Sequence, residues 1–133
     1  LRLALEPALA RLAAVRATPL EIARIMRAAT TPPDMQRGTA DLAFHKLVAA
    51  ARGNGLAADL YALLRKVGSD SRVRVQSTLP ACPNRLAQRD QEHRAVAEAI
   101  AARDPECAEA AMRTHLNAGH RVILNRLVAT NAA

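Results

Sequence analysis

Apolar residues recur at roughly helical spacing along almost the whole chain, and the interruptions between them are short and rich in helix-stop signals. Leu5, Ala8, Leu9, Leu12 and Val15 form the first stripe, which predicts an amphipathic helix over Leu1–Ala17. Thr18-Pro19-Leu20-Glu21 is a capping box with proline at the first helical position, so a second helix starts at Thr18 and turns Ile22, Ile25 and Met26 inward. Thr30-Thr31-Pro32-Pro33-Asp34 ends it. A third helix is expected from Gln36 or Gly38 to Ala51, with Asp41, Phe44, His45 and Val48 on one face. Arg52-Gly53-Asn54-Gly55 stops that helix, because Gly and Asn accept the left-handed conformation, and Asn54 reads as a cap. The fourth helix carries Leu56, Leu60, Leu63, Leu64 and Val67 and continues to about Gln76. After a loop over Ser77–Pro83, a fifth helix from about Asn84 aligns Leu86, His93, Val96, Ala97 and Ile100. Asp104-Pro105 opens a sixth that runs to near Val128, with Ala108, Met112, His115, Gly119 and Val122 on one face.

Composition supports helices throughout. Alanine, the best helix former, supplies 31 of the 133 residues, whereas Trp is absent and Phe44 and Tyr61 are the only aromatic residues. The core must therefore be packed from Ala, Leu, Val, Ile and Met. The expected fold is all-α, an antiparallel bundle in a single domain spanning 1–133. Charged residues interrupt every apolar run before it reaches the length of a membrane span, so no membrane partner is expected. The chain opens at Leu1 without an initiator Met, and Arg2, Glu6 and Arg11 do not suit a signal peptide, which suggests a cut through a longer protein. Cys82 and Cys107 lack C-x-x-C spacing and are too few for a disulfide scaffold, so a cytoplasmic location is the expectation.

A formal net charge of +7 first suggests nucleic acid. The arginines are scattered at helix-surface spacing, however, and two aromatic residues cannot build a stacking platform, so the excess reads mainly as a solvated surface.

Four titratable residues interrupt the inward stripes: Asp41, His45, His93 and His115. Asp41 and His45, at i and i+4, share one face of one helix and can chelate one ion. His93 and His115 replace apolar residues on two further helices. Burying three imidazoles and a carboxylate without partners costs several kcal/mol in total, and one divalent cation satisfies all four. Three nitrogens and one oxygen suit Zn²⁺ first, with Ni²⁺, Mn²⁺ or Fe²⁺ as alternatives, and suit Mg²⁺ or Ca²⁺ poorly. On an octahedral ion two positions stay open for water or a carboxylate. Glu92, next to His93, is expected to point away from the site, and His120, about 140° round the helix from His115, to lie on the surface. The fourth helix carries a polar stripe, Arg65, Ser69, Arg72 and Gln76, which either faces solvent or lets Arg72, helped by Ser69, pair with a ligand carboxylate.

The run from Asp41 to Asn54, then Glu92-His93-Arg94-Ala95-Val96 before Asp104, then Ala111-Met112-Arg113-Thr114-His115-Leu116, resembles the ligand-binding FCD domain of GntR-type bacterial transcription regulators, the FadR subfamily. The opening Leu1-Arg2-Leu3-Ala4-Leu5-Glu6-Pro7 looks like the start of that domain. The resemblance implies a bundle of six to seven helices, a central metal at Asp41, His45, His93 and His115, and a cavity above it for a small organic acid. It also implies that Arg2 faces the effector, that the domain works as a homodimer, and that DNA is contacted only through an N-terminal winged helix-turn-helix domain outside this chain. Two rival functions remain open. A metalloenzyme would use the open coordination positions for catalysis, but no H-E-x-x-H or paired E-x-x-H motif accompanies the ligands, so no catalytic residues are assigned. A purely structural metal would stabilise a dimerisation domain and nothing more.

Overall fold

The computed structural model describes residues 1–76 and 83–132, with backbone alone for 67–76 and 130. Among the described residues there are six α-helices and no strand: α1 (Arg2–Arg16), α2 (Pro19–Ala28), α3 (Arg37–Ala49), α4 (Gly55–Gln76), α5 (Pro83–Ala101) and α6 (Pro105–Asn131). A single 3₁₀ turn, Ala51–Gly53, joins α3 to α4. This is the all-α helical bundle the sequence predicts. The loop expected over Ser77–Pro83 yields to helix at Pro83, and its remaining residues 77–82 lie outside the described residues, as do the side chains of Val67, Ser69, Arg72 and Gln76.

Local chemistry sets the helix ends. At α2 the Thr18 hydroxyl accepts from the Glu21 amide at 3.2 Å while the Glu21 carboxylate accepts from the Thr18 amide at 2.7 Å, a complete capping box. The same Glu21 carboxylate accepts from the Arg52 amide at 2.9 Å, which ties the start of α2 to the turn after α3. Arg52 and Gly53 both adopt positive φ there, +59° and +71°, so the helix stop falls within the expected Arg-Gly-Asn-Gly run. Asn54 caps α4 through the Ala57 amide at 3.2 Å, and Asp104 caps α6 through the Cys107 amide at 3.0 Å.

The core is built where the helices approach most closely. Ala10, Ala13, Ala14 and Ala17 of the α1 region meet Ala97 and Ala108 from α5 and α6, and Ile25, Phe44, Val48, Val96, Ile100 and Met112 fill the spaces around them. A smaller cluster of Leu9, Ala49, Ala57 and Tyr61 seals α4 against α1 and α3.

Several inward assignments are corrected by this arrangement. On α1 the buried face is Glu6, Pro7, Leu9, Ala10, Ala13 and Ala14, whereas Ala8 is exposed and Val15 is 63% exposed. On α4, Ala57, Ala58 and Tyr61 are buried while Leu56, Leu60 and Leu63 face outward. Met26 of α2 is also on the exposed side. On α1 the alanines of the inner face let neighbouring helix backbones close up, so Val15 is left outside; on α4 Ala57 and Ala58 do the same beside the Tyr61 ring, which takes the inward position the leucines were expected to hold.

Ala97→Leu should therefore force α1, α5 and α6 apart and lower the unfolding free energy by about 1–3 kcal/mol. Val15→Ala should change it by less than about 0.5 kcal/mol. Urea denaturation of the two variants beside the parent checks this, and equal losses would contradict the packing described.

Candidate metal centre

Three helices supply the polar cluster at the middle of the bundle. The i, i+4 spacing on α3 puts Asp41 and His45 on one buried face, α5 contributes His93 and α6 contributes His115. All four are buried. The Nε2 atoms of His45 and His115 lie 3.1 Å apart, those of His93 and His115 3.3 Å apart, and Asp41 Oδ1 stands 3.6 Å from His45 Nε2 and 3.5 Å from His93 Nε2. One ligand atom from each of the four residues can be chosen so that all lie within 4.8 Å of one another. Donors held about 2.1 Å from a common ion are separated by roughly 3.0 Å at right angles and 3.4 Å at tetrahedral angles. The spacing and the donor set thus fit a transition-metal ion.

The outer nitrogens of two rings are fixed by carboxylates, neither of which the sequence reading assigned to the site. His115 Nδ1 donates to Glu92 Oε2 at 2.8 Å, and His45 Nδ1 lies 2.7 Å from Glu6 Oε2, close enough for charge pairing though not aligned for an ideal hydrogen bond. Each carboxylate is held in turn by an arginine. Glu6 is bonded by Arg2, whose Nη2 donates to Oε2 at 3.1 Å, and Glu92 is bonded by Arg85, whose Nη1 donates to Oε1 at 3.1 Å. The expectation that Glu92 points away is therefore corrected: it turns away from its neighbour His93 but reaches across to His115 on the next helix. Arg2, expected at the effector, is committed to Glu6, and its guanidinium carbon stands 5.8 Å from the centre of the Tyr61 ring. His120 is exposed, as expected.

These partners decide the protonation pattern. A neutral imidazole that donates from Nδ1 presents a bare lone pair at Nε2, so the carboxylates aim lone pairs into the cluster. Burial pushes His93 down to about 4, with Asp41 opposing and the other two rings adding to the shift. Burial also lowers His115, against the pull of Glu92. Both are thereby kept in the neutral, metal-binding form. Burial would lower His45 too, but Asp41 and Glu6 outweigh it and raise its pKa. Burial would raise the Glu6 carboxyl, yet His45 and Arg2 bring it down to about 2. Asp41, deeply buried, is nevertheless held well below the usual carboxylate range by His45, His93 and Arg65, whose Nη1 lies 3.0 Å from Asp41 Oδ2.

Outer partners of this kind orient metal-bound histidines, and their loss typically weakens metal binding about 10- to 100-fold. Glu92→Ala should do so here, with Glu92→Gln, which keeps an acceptor for the ring, falling between it and the parent. Competition against a chromophoric chelator measures the affinities; an unchanged value for Glu92→Ala would show that His115 needs no such partner.

No match was found among curated proteins or among solved structures. The family model described as the FCD domain matches residues 1–118, which contain all four residues of the cluster and both carboxylates behind it. This domain is the C-terminal effector-binding module of GntR-type regulators of the FadR kind. The chain belongs to the FCD-domain family.

Proposed function

We propose that this chain is a metal-dependent sensor of a small organic acid, either a carboxylate or a sugar acid, that controls DNA binding by a GntR-type regulator. The observation that carries the reading is the convergence of three imidazole nitrogens and one carboxylate oxygen within 4.8 Å in a buried core, four of their separations being 3.1–3.6 Å, with carboxylates behind two of the rings. Asp41, His45, His93 and His115 hold the ion, with Zn²⁺ the first choice for three imidazoles and a carboxylate and Ni²⁺, Mn²⁺ or Fe²⁺ the alternatives. Bound there, the ion supplies a Lewis-acidic point of positive charge with positions left open for an oxygen ligand. The protein's own residues fix the donors, exclude bulk water and keep His93 and His115 neutral. Arg2, Ser69 and Arg72 remain the sequence-derived candidates for contacts to the acid.

The mechanism is a population shift. The effector binds one arrangement of a homodimer more tightly than another, and that difference alters operator affinity through a winged helix-turn-helix domain belonging to the intact cytoplasmic regulator. None of the described helices is long and apolar enough to cross a membrane. The exposed row Leu56, Leu60 and Leu63 on α4 supports self-association, because three large apolar residues one turn apart are unusual on a face left to water. Catalysis has no comparable support: Glu92, the carboxylate adjacent to a ligand in sequence, is occupied by His115 and Arg85.

Thermal unfolding with and without chelator, across a panel of hydroxy acids and sugar acids, tests the reading. Metal should raise the melting temperature, and at least one acid should raise it further only in the metal-loaded protein. Stabilisation by metal with no response to any acid would leave a structural ion and remove the sensor. For the dimer, Leu60→Glu should shift the domain to a monomer at micromolar concentration in sedimentation velocity; an unaltered sedimentation coefficient would place the interface elsewhere.

A further inference from the structure

Tyr61 is the sole tyrosine of the chain and is fully buried, yet among the described residues its hydroxyl has no hydrogen-bond partner. A buried O–H without an acceptor is destabilising, so such a group calls for a bound molecule or a water. Its surroundings favour a bound molecule. The Tyr61 ring is stacked beside His45, with centroids 5.7 Å apart and planes inclined by 26°, so it borders the metal centre directly. Burial, opposed by Arg2 and Arg65, keeps the phenol protonated and therefore a donor. One turn further along the same face of α4 stands Arg65. Its Nη1 is buried and pairs with Asp41 Oδ2 at 3.0 Å without the alignment of a hydrogen bond.

Charge accounting indicates what would fill this corner. Glu6 is matched by Arg2, Glu92 by Arg85 and Asp41 by Arg65. These charges cancel, so a divalent ion bound at Asp41 and the histidines leaves a net charge of about +2 around the cluster. In a water-poor site such an excess attracts an anion strongly.

We propose that Tyr61 and Arg65 are the anion-anchoring pair of the effector site: a small carboxylate drawn to the metal accepts hydrogen bonds from Tyr61 Oη and from the Arg65 guanidinium. Arginine suits a carboxylate because its donors are planar and paired, and the phenol adds a third donor from the same helix face. The assignment rests on the metal-centre reading above. It differs from it in naming α4, at Tyr61 and Arg65, as the element that distinguishes a carboxylate from water.

With no tryptophan in the chain, Tyr61 reports on itself. The Zn²⁺-loaded domain is titrated with acetate, glycolate and succinate while tyrosine absorption and emission are followed, and the affinities are measured by calorimetry for the parent, Tyr61→Phe and Arg65→Lys. Zinc content and melting temperature are recorded for each. The tyrosine signal should move with carboxylate in the metal-loaded protein and stay fixed in the metal-free one. Tyr61→Phe, which keeps the ring beside His45, should retain its zinc and bind the best of the three carboxylates roughly tenfold or more weakly, as loss of one hydrogen bond to a charged group implies. Arg65→Lys should weaken it as well. A parent domain that takes up no metal overturns both readings. Metal uptake with a tyrosine signal unmoved by saturating carboxylate, or Tyr61→Phe binding as tightly as the parent, overturns the anchoring pair and leaves the metal centre intact.

Discussion

The inner nitrogen of His115 faces those of His45 and His93 at little more than 3 Å, and the three cannot all be satisfied by one another when each presents a lone pair. A neutral ring offers one donor and one acceptor, and Glu92 takes the donor of His115, so its inner nitrogen is left as a lone pair facing two more rings. A positive charge among them would relieve that crowding of lone pairs. In the absence of metal a proton can serve, and His45 is the ring whose neighbours favour it, because Asp41 and Glu6 both face it. A proton, however, joins only two of the four donors. A divalent ion would join all four.

The same requirement explains the choice of core residues. A histidine reaches only a short way from its helix, so donors from α3, α5 and α6 meet only if the helices run close together. Ala10, Ala13 and Ala14 on α1, with Ala97 and Ala108 opposite, permit that approach. Large rings enter this layer only where they hold an imidazole: Phe44 stacks on the face of His93 at 4.2 Å between centroids, and Tyr61 lies beside His45 at 5.7 Å.

How much of this is visible in the sequence depends on the kind of signal. Helix starts are local chemistry, and Thr18, Asn54 and Asp104 announce them in residues that do the same work in the folded chain. The cluster is visible because Asp41, His45, His93 and His115 interrupt apolar stripes, which is costly unless they share a purpose. The true inner faces of α1 and α4 are less visible. A pattern weighted toward Leu and Val selects Val15, Leu56, Leu60 and Leu63, whereas the packing selects Ala for its size. Glu6 had a signal that went unread: it falls in register with Ala10, Ala13 and Ala17 and one turn from Arg2. Glu92 had almost none, since its partner His115 sits 23 residues away on another helix and only the tertiary crossing of α5 and α6 brings them together.

The Arg excess also takes on a different meaning. Arg2, Arg65 and Arg85 do not belong to it, because each neutralises a carboxylate at the polar cluster inside the bundle, and the +7 balance stands on the rest of the chain. This layering gives the proposed sensor a route for its signal. On α4, Tyr61 and Arg65 face the site while Leu56, Leu60 and Leu63 face outward from the same helix. A helix moves as a stiff rod, so an anion that draws Arg65 away from Asp41 displaces the outer leucine row together with the inner face. In the proposed sensor, binding energy released at the ion would then be expressed in the geometry of a dimer. That is what a sensor requires, because a ligand shifts an equilibrium only by contacts that differ between its two states.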